Sequence, residues 1–278
     1  MTPFKNIGII HNSLSEPSLE LSKKIINNFS SDKSFWNMNE KDIQKEKERI
    51  KESQLMIAVG GDGTILRVAH LVAEYNIPIL GINMGRVGFM SEIEELDAIR
   101  NLSWYLEGNA RLEKRYMLEV KSMKTDEVLA ISLNDIAVAR GNLIRVAELA
   151  TFIDGVHLAT YRGDGIIVST ATGSTGYNLA LGGPVLDPLS KEFILKPIAS
   201  HMSQFGGVVL SGESRISIEI ISDNSINFSS DGFIDKELNK SDHIEIYQST
   251  KYISFLRKKQ PSEFWGDLSR KLGIRKGI

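Results

Sequence analysis

Gly60-Gly61-Asp62-Gly63-Thr64 sets a carboxylate inside a glycine loop, where the apolar run Leu55 to Val59 gives way to a helix-like pattern. Glycine lets the backbone approach a ligand closely. The N-terminus of the following helix presents unpaired N–H groups and a positive dipole end, which suit phosphate. A carboxylate in such a loop repels phosphate unless it serves a metal or a hydroxyl. Asp62 is therefore expected to do something other than bind phosphate. A tight turn is the competing account, because Asp-Gly is a common turn dipeptide. Four such pairs occur, at 62–63, 154–155, 164–165 and 231–232.

A second constellation begins at Arg162-Gly163-Asp164-Gly165 and runs to Tyr177. Ser169, Thr170, Thr172, Ser174 and Thr175 place five hydroxyls around glycines, enough to cradle phosphates or to bond a base and ribose. Arg162 is placed to pair either with Asp164 or with a phosphate. Asn134-Asp135 interrupts the apolar run Ile131, Leu133, Ile136, Val138. A polar pair there must be hydrogen-bonded if buried, and it is either a ligand-facing pair or a strand bulge.

Several chemistries are excluded by what is missing. No Gly-Lys-Ser/Thr occurs, and no GxGxxG follows the first strands, so the usual nucleotide fingerprints are absent. The five histidines, at 11, 70, 157, 201 and 243, form no HExxH or other metal spacing. There is no GxSxG elbow for a nucleophilic serine. Zero cysteines exclude disulfides and thiolate chemistry and fit a reducing cytosol.

These loops need elements to hold them. Residues 6–10 read as a buried strand, 19–29 as a helix, and the Glu/Lys run 40–53 as a solvated helix. After the strand 55–59, Ile65, Val68, Ala69 and Val72 recur at helical spacing. A strand at 77–80 then leads into a second glycine loop, 81–88. Strand, helix, strand in this order makes a βαβ unit with a parallel sheet. Beyond about residue 100 the runs 116–121, 128–139, 146–153, 156–161, 215–220 and 242–247 read as strands. Asp154-Gly155, and Asp231-Gly232 in the same way, have hairpin spacing. This region is expected to be mainly antiparallel, a sandwich or layered sheet. Residues 261–273 read as a closing helix.

Composition agrees with a globular chain: 278 residues, 42% hydrophobic and 24% charged. A net charge of −2 gives no global positive field for nucleic acid. The apolar run Ile7 to Ile10 is too short for a signal-peptide core. The uncharged stretch Gly165 to Leu186 is broken by glycines and Pro184, and reads as a buried strand followed by a loop, not as a membrane span.

Taken together, the motifs resemble the NAD kinase family. The resemblance rests on the GGDGT loop at 60–64 and on Gly81-Ile82-Asn83-Met84-Gly85-Arg86-Val87-Gly88-Phe89, similar to a GINxGxxGF motif. It continues through Asn134-Asp135, Asp164-Gly165 to Tyr177, and Gly182-Gly183-Pro184, and ends with Asp231-Gly232 and the helix Phe264 to Leu272. The fold it implies is α/β plus β: a Rossmann-like α/β domain over 1–100, a β-rich, sandwich-like domain over 101–254, and a segment over 255–278 returning to the first. The activity it implies is Mg²⁺-dependent transfer of the terminal phosphate of ATP, or of polyphosphate, to the 2′-hydroxyl of the adenosine ribose of NAD, giving NADP. The resemblance makes Asp62 the general base. It puts Gly60, Gly61 and Thr64 in the phosphate loop. It assigns NAD binding to Gly63, Arg67, Asn134, Asp135, Arg145, Arg162, Asp164, Thr175, Gly176, Tyr177, Asn178, Leu179 and Ala180. It names no metal ligands. A cytoplasmic homo-oligomer, dimer or tetramer, binding neither nucleic acid nor membrane, is implied as well.

The sequence departs from the family pattern at four places: Asp135 for Glu, Ala171 for Pro, Gly176 for Ala, and Phe233 for Gln. None touches Asp62. The GGDG loop by itself is shared with diacylglycerol kinase-like and phosphofructokinase-like enzymes, so a lipid or sugar kinase is the alternative. A nucleotide sensor without activity is a third reading, whose expected signature is loss of the loop acid.

Overall fold

The computed structural model describes residues 2–85, 88–141, 145–199 and 206–273. The chain divides into two compact units, Met1–Lys114 with Ile253–Ile278, and Arg115–Tyr252.

The first unit is α/β. Its elements are β1 (Asn6–His11), α1 (Glu16–Phe29), β2 (Ser34–Asn39), α2 (Lys47–Glu52), β3 (Leu55–Gly60), α3 (Asp62–Val72), β4 (Ile79–Asn83), β5 (Ile93–Glu94) and α4 (Ala98–Leu106). Strand β1 lies between β2 and β3, and β4 flanks β3, all parallel. Residues 253–257 return to this sheet, pairing in parallel with β4 through Phe255 and Ile79. All six residues of β3 and all five of β4 are buried. Near-continuous apolar strands are what a parallel sheet covered on both faces requires. Helix α3 buries Ile65, Val68, Ala69 and Val72, the periodic set expected, with Leu66 and Thr64 beside them.

One local expectation changes, and two elements appear for which there was none. The 40–53 run is helical by α-type bonding only over 47–52, preceded by a single 3₁₀ turn at Ile43–Glu46; Ile43 and Ile50 are its apolar anchors in the core among the described residues. Strand β2 had no sequence signature, because an edge strand of half-exposed Trp, Asn and Met residues shows neither alternation nor a buried run. Helix α4 was also unread, although Ala98, Leu102, Tyr105 and Leu106 form its buried stripe.

The second unit is an antiparallel sandwich. Its strands are β6 (Arg111–Ser122), β7 (Val128–Ser132), β8 (Asp135–Arg140), β9 (Ala147–Ile153), β10 (Val156–Gly163), β11 (Gly165–Thr170), β12 (Phe193–Ile198), β13 (Val208–Leu210), β14 (Arg215–Ile220), β15 (Ile226–Ser230), β16 (Ile234–Leu238) and β17 (His243–Arg257). The chain enters this unit within β6 and leaves it within β17. One layer pairs β10, β9, β14 and β17 in that order; the other runs β13-β12-β11-β8-β15-β16. Their inner faces share one core, in which Leu149, Ile216, Ile218 and Ile246 from the first layer join Val138, Val168, Phe193 and Phe228 from the second. Inward and outward residues alternate on β14 and over residues 243–247 of β17, as their sequence pattern requires. Asp154-Gly155 and Asp231-Gly232 make the turns of the β9–β10 and β15–β16 hairpins, all four residues at positive φ. The closing helix, α6, spans Glu263–Lys271, after a four-residue helix α5 (Tyr177–Ala180) in the preceding unit.

Candidate active site

In a parallel sheet, ligands bind beyond the carboxyl ends of the strands. Strand β3 ends at Gly60, so the GGDG loop stands at that edge, and β4 ends beside it at Asn83. Gly61 caps α3, accepting from the N–H groups of Thr64 at 3.0 Å and Ile65 at 3.2 Å. Asp62 opens the helix. Its carboxylate accepts from the backbone N–H of Phe89 at 2.8 Å and of Met90 at 3.1 Å, one to each oxygen. Each oxygen accepts one of these two N–H groups, and a carboxylate oxygen carries a second lone pair that can take a proton. The segment after the second glycine loop thus lies directly on Asp62. Gly88 makes that approach possible, since a Cβ there would overlap Asp62 Oδ1. Gly63 and Arg67 are exposed on the first turns of α3.

Thr64, expected in the phosphate loop, is buried, and its hydroxyl donates to Glu40 at 2.5 Å. It fixes the loop from beneath. Asn83 donates to Glu94 at 2.9 Å and to the Gly85 carbonyl at 3.1 Å. Arg86 and Val87 of the same motif lie outside the described residues.

The second unit builds its own polar cluster. Asn134 breaks the run expected at 128–139 into β7 and β8, so the pair sits at a strand break. Asp231, at the β15–β16 turn, reaches back to this break. Its carboxylate accepts from the N–H groups of Leu133 at 2.7 Å, Asn134 at 2.8 Å and Asp135 at 2.9 Å, and from the Ser132 hydroxyl. Among the described residues, the Asn134 side-chain oxygen is buried without a partner. Burial, and then the neighbouring Asp231 carboxylate, push the Asp135 carboxyl up to about 7. Gly173 packs on this break so closely that a Cβ would overlap the Asn134 backbone carbonyl, and the Thr170 N–H donates to that carbonyl at 2.9 Å.

The hydroxyl-rich loop is not the open cradle its composition suggests. Thr170 donates to the Leu133 carbonyl at 2.6 Å, Ser174 to Ala171 at 2.6 Å, and Thr175 to Thr172 at 3.1 Å. Short loops use Ser and Thr in this way to satisfy their own backbone. Asn178, expected to contact NAD, is fully buried, and its amide donates to the carbonyls of Ser174 at 3.1 Å and Pro184 at 2.9 Å. What the loop leaves exposed is Gly176, Tyr177 and Ala180, with Thr175 and Leu179 half-buried.

Arg162 pairs with Glu148 at 2.7 Å, not with Asp164, because adjacent strands β9 and β10 put Arg162 and Glu148 opposite each other. Asp164 pairs with Arg140 at 2.6 Å. Arg145 is exposed. His201 lies outside the described residues; among these, no group of three or more His, Asp or Glu residues could hold a metal ion. No helix among them is long and apolar enough to cross a membrane.

Sequence reading placed Glu40 in a solvated helix and Lys271 in the closing helix, and gave neither a part in the site. Glu40 stands at the start of the charged run and accepts from buried Thr64, and Lys271, which donates to the Gly88 carbonyl, ends an ordinary amphipathic helix. Asp231 was visible as a turn residue and as part of a late Asp-Gly element of the family pattern, but not as the acceptor that closes the break at Asn134.

Residues 9–110 match the family model of the ATP-NAD kinase N-terminal domain, and residues 133–258 that of the ATP-NAD kinase C-terminal domain. An NAD kinase of Dehalococcoides mccartyi is 37% identical over 273 residues, covering 97% of this chain and 96% of the relative. One from Caldanaerobacter subterraneus is 35% identical over 283 residues, covering 98% and 100%. The crystal structure of an NAD kinase from Archaeoglobus fulgidus in complex with ATP superposes with a TM-score of 0.77 at 25% identity, covering 97% of this chain and 99% of that one. Yeast NADH kinase complexed with NADH shares the fold, with a TM-score of 0.85 at 23% identity, covering 100% and 90%. With a parallel α/β unit presenting the GGDG acid and a β-sandwich matched in order along almost the whole length of these relatives, the chain belongs to the NAD kinase family, and it is a kinase.

Proposed function

We propose that this enzyme transfers the terminal phosphate of ATP to the 2′-hydroxyl of the adenosine ribose of NAD, with Asp62 as general base. The observation that carries this reading is the Asp62 carboxylate, held by the N–H groups of Phe89 and Met90 at the edge where a parallel sheet receives ligands. The relatives named NAD kinase, one of them in complex with ATP, support the choice of substrates. A ribose hydroxyl is a poor nucleophile until a positioned base takes its proton. In the step proposed, the 2′-oxygen gives its proton to Asp62 and forms a bond to the γ-phosphorus. The bond from that phosphorus to the bridging oxygen breaks, and ADP leaves with the electron pair.

Gly60, Gly61 and Gly63 would bring backbone N–H groups to the phosphates at the positive end of α3, and Arg67 stands one turn on. Thr64 would act indirectly, by holding the loop. Asn134 and Asp135 would hydrogen-bond adenine or ribose hydroxyls, and Tyr177 offers an exposed ring for stacking. Gly176, Thr175, Leu179 and Ala180 would line the same surface, with Asn178 shaping the loop from inside. Arg145 and Asp164 are proposed contacts of NAD, and Arg162 would have to release Glu148 to reach a phosphate. Mg²⁺, when bound, would offset charge on the donor's phosphates. Among the described residues no group of three or more His, Asp or Glu residues could hold it. A cytoplasmic homo-oligomer is the assembly proposed.

An acceptor and donor panel tests this. NADP formation, read by a coupled dehydrogenase, is expected with NAD and ATP. Polyphosphate as donor, and diacylglycerol or fructose 6-phosphate as acceptor, are the competing arms. Phosphorylation of either of these alternative acceptors in place of NAD would overturn the reading.

The raised Asp135 carboxyl gives a pH signature. Ionised, it accepts hydrogen bonds from a ribose hydroxyl or an adenine amine through both oxygens and with the added strength of a charge, whereas the protonated carboxyl accepts more weakly, through its carbonyl oxygen. Between pH 6 and 8 its ionised fraction rises about tenfold around a midpoint near 7, so kcat/KM for NAD is expected to rise over that interval, and Asp135→Asn should flatten the rise. Stability runs the other way. A carboxyl whose folded-state value is raised binds its proton more tightly when folded, so its contribution falls as pH climbs from the ordinary carboxylate range to about 7. Asp135→Asn should therefore raise Tm at pH 8 more than at pH 5. A kcat/KM profile of the variant that superposes on the wild type would remove Asp135 from NAD recognition.

A further inference from the structure

The C-terminal helix brings one more charged group to Asp62. Helix α6 is anchored by Leu268, and its final residue, Lys271, extends from the last turn, where a cation meets the negative end of the helix dipole. The Lys271 ammonium donates to the Gly88 carbonyl and lies 4.0 Å from the centroid of the Phe89 ring. Gly88, Phe89 and Met90 are the residues that close on Asp62, the last two by donating to its carboxylate. One short segment is thus held by the acid of α3 and by the lysine of α6, 183 residues away from Gly88 in sequence.

We propose that Lys271 is a positioning residue for phosphoryl transfer: by tethering the Gly88 carbonyl and the Phe89 ring, it fixes the backbone N–H groups on which the Asp62 carboxylate rests. The proposal rests on the reading of Asp62 as the general base. A charge-assisted hydrogen bond and a cation over an aromatic face are both strong when partly desolvated. Losing them frees the 88–90 segment, and with it the orientation of the carboxylate, while leaving the loop glycines intact. The surroundings of the ammonium are mixed. Burial lowers its proton affinity most, Asp62 and Asp267 raise it, and Lys259 and Arg257 lower it, leaving Lys271 below the ordinary lysine range. Loss of its proton on the alkaline side weakens the tether before an exposed lysine would titrate.

The experiment uses the full-length enzyme with NAD and ATP. Lys271→Met is expected to lower kcat by about 10–100-fold, the worth of one charged hydrogen bond, with both KM values changed less. Lys271→Arg should restore most of kcat and, having no titratable proton in this range, should abolish the alkaline fall in rate. In the Asp62→Asn background, Lys271→Met should cost nothing further. Thermal melting of each variant checks that it is folded. A rise in the KM for ATP with kcat unchanged would make Lys271 a donor contact and overturn the proposal. So would an equal loss in both backgrounds, or an alkaline limb that survives Lys271→Arg. If Asp62→Asn alone turns over normally, the base assignment fails and takes this proposal with it; if only the coupling between the two residues is absent, this proposal fails alone.

Discussion

Asp62→Asn is expected to lower kcat for NADP formation by about 10²–10⁴-fold, the usual worth of a positioned general base. The substitution keeps the shape and removes the basicity. It also disturbs the support. Both carboxylate oxygens now accept backbone N–H groups, from Phe89 at 2.8 Å and Met90 at 3.1 Å. An amide presents one acceptor and one donor, so one of those N–H groups would face an NH₂ and lose its partner. The cost of a stranded buried donor is about 1–3 kcal/mol, visible as a drop in Tm of a few degrees. The two effects separate by measurement. Steady-state kinetics at saturating NAD and ATP should show the loss in kcat, while melting shows a folded protein. Near-normal turnover would leave the carboxylate as a structural cap on the 88–90 segment and no more.

Replacing Arg257 should have the largest effect on stability. Its side chain is 6% exposed and lies between the carboxylates of Glu92 and Glu113, 2% and 5% exposed, at 3.3 Å from each. Arg257 also donates to the Ser91 carbonyl at 3.2 Å. Glu113 takes a second cation from Arg111 at 2.6 Å. Glu92 is further held by the Tyr105 hydroxyl at 3.0 Å and by the N–H of Lys258 at 2.7 Å. Burial and the Glu92 carboxylate keep that hydroxyl protonated far above the ordinary tyrosine range. Arg257 is the guanidinium that the Glu92 and Glu113 carboxylates share. Arg257→Met leaves buried negative charge without its counterion, at about 3–5 kcal/mol, or roughly 10 °C in Tm for a chain of this size. Arg257→Lys keeps the charge but cannot bridge both carboxylates with a planar fork, and should fall between. Differential scanning calorimetry at neutral pH checks both. A change in Tm below about 2 °C for Arg257→Met would mean that water or a rearranged lysine replaces the guanidinium.

The parts of this protein that were legible without coordinates are those written in neighbouring residues. The apolar run Leu55 to Val59, the glycine loop and the periodic set Ile65, Val68, Ala69, Val72 specify strand, turn and helix within some twenty positions, because each depends on local backbone geometry and side-chain period. The hairpins at Asp154-Gly155 and Asp231-Gly232 were readable for the same reason: their turns need positive φ, which these residue types accept. Strand β12 was not readable. A central strand buried on both faces has no alternation, and its Phe-Ile-Leu-Lys-Pro-Ile sequence contains a lysine and a proline that argue against a strand until Lys196 is seen donating to the Gly206 carbonyl at 3.0 Å.

Side-chain partners divide in the same way. Sequence alone marked Asp62, Asn134 and Asp135 as polar groups at special positions, and the order of the motifs along the chain pointed to the family. It had no means to choose partners. Arg162 had a carboxylate two residues away and took one fourteen residues away, since cross-strand register, not sequence distance, sets which side chains meet. The hydroxyls of the 169–175 loop promised a ligand cradle, and several are turned instead onto backbone carbonyls that the loop must satisfy. Asp62 became a supported carboxylate only when residues 89 and 90 folded onto it, and Asp231 became the cap of a strand break only across nearly a hundred residues. Residue types and local period determined the elements, the glycine loops and the acid between them. Which donors those acids hold was decided by tertiary packing, because a hydrogen bond selects its partner by distance and direction in space, and a linear order of residues contains neither.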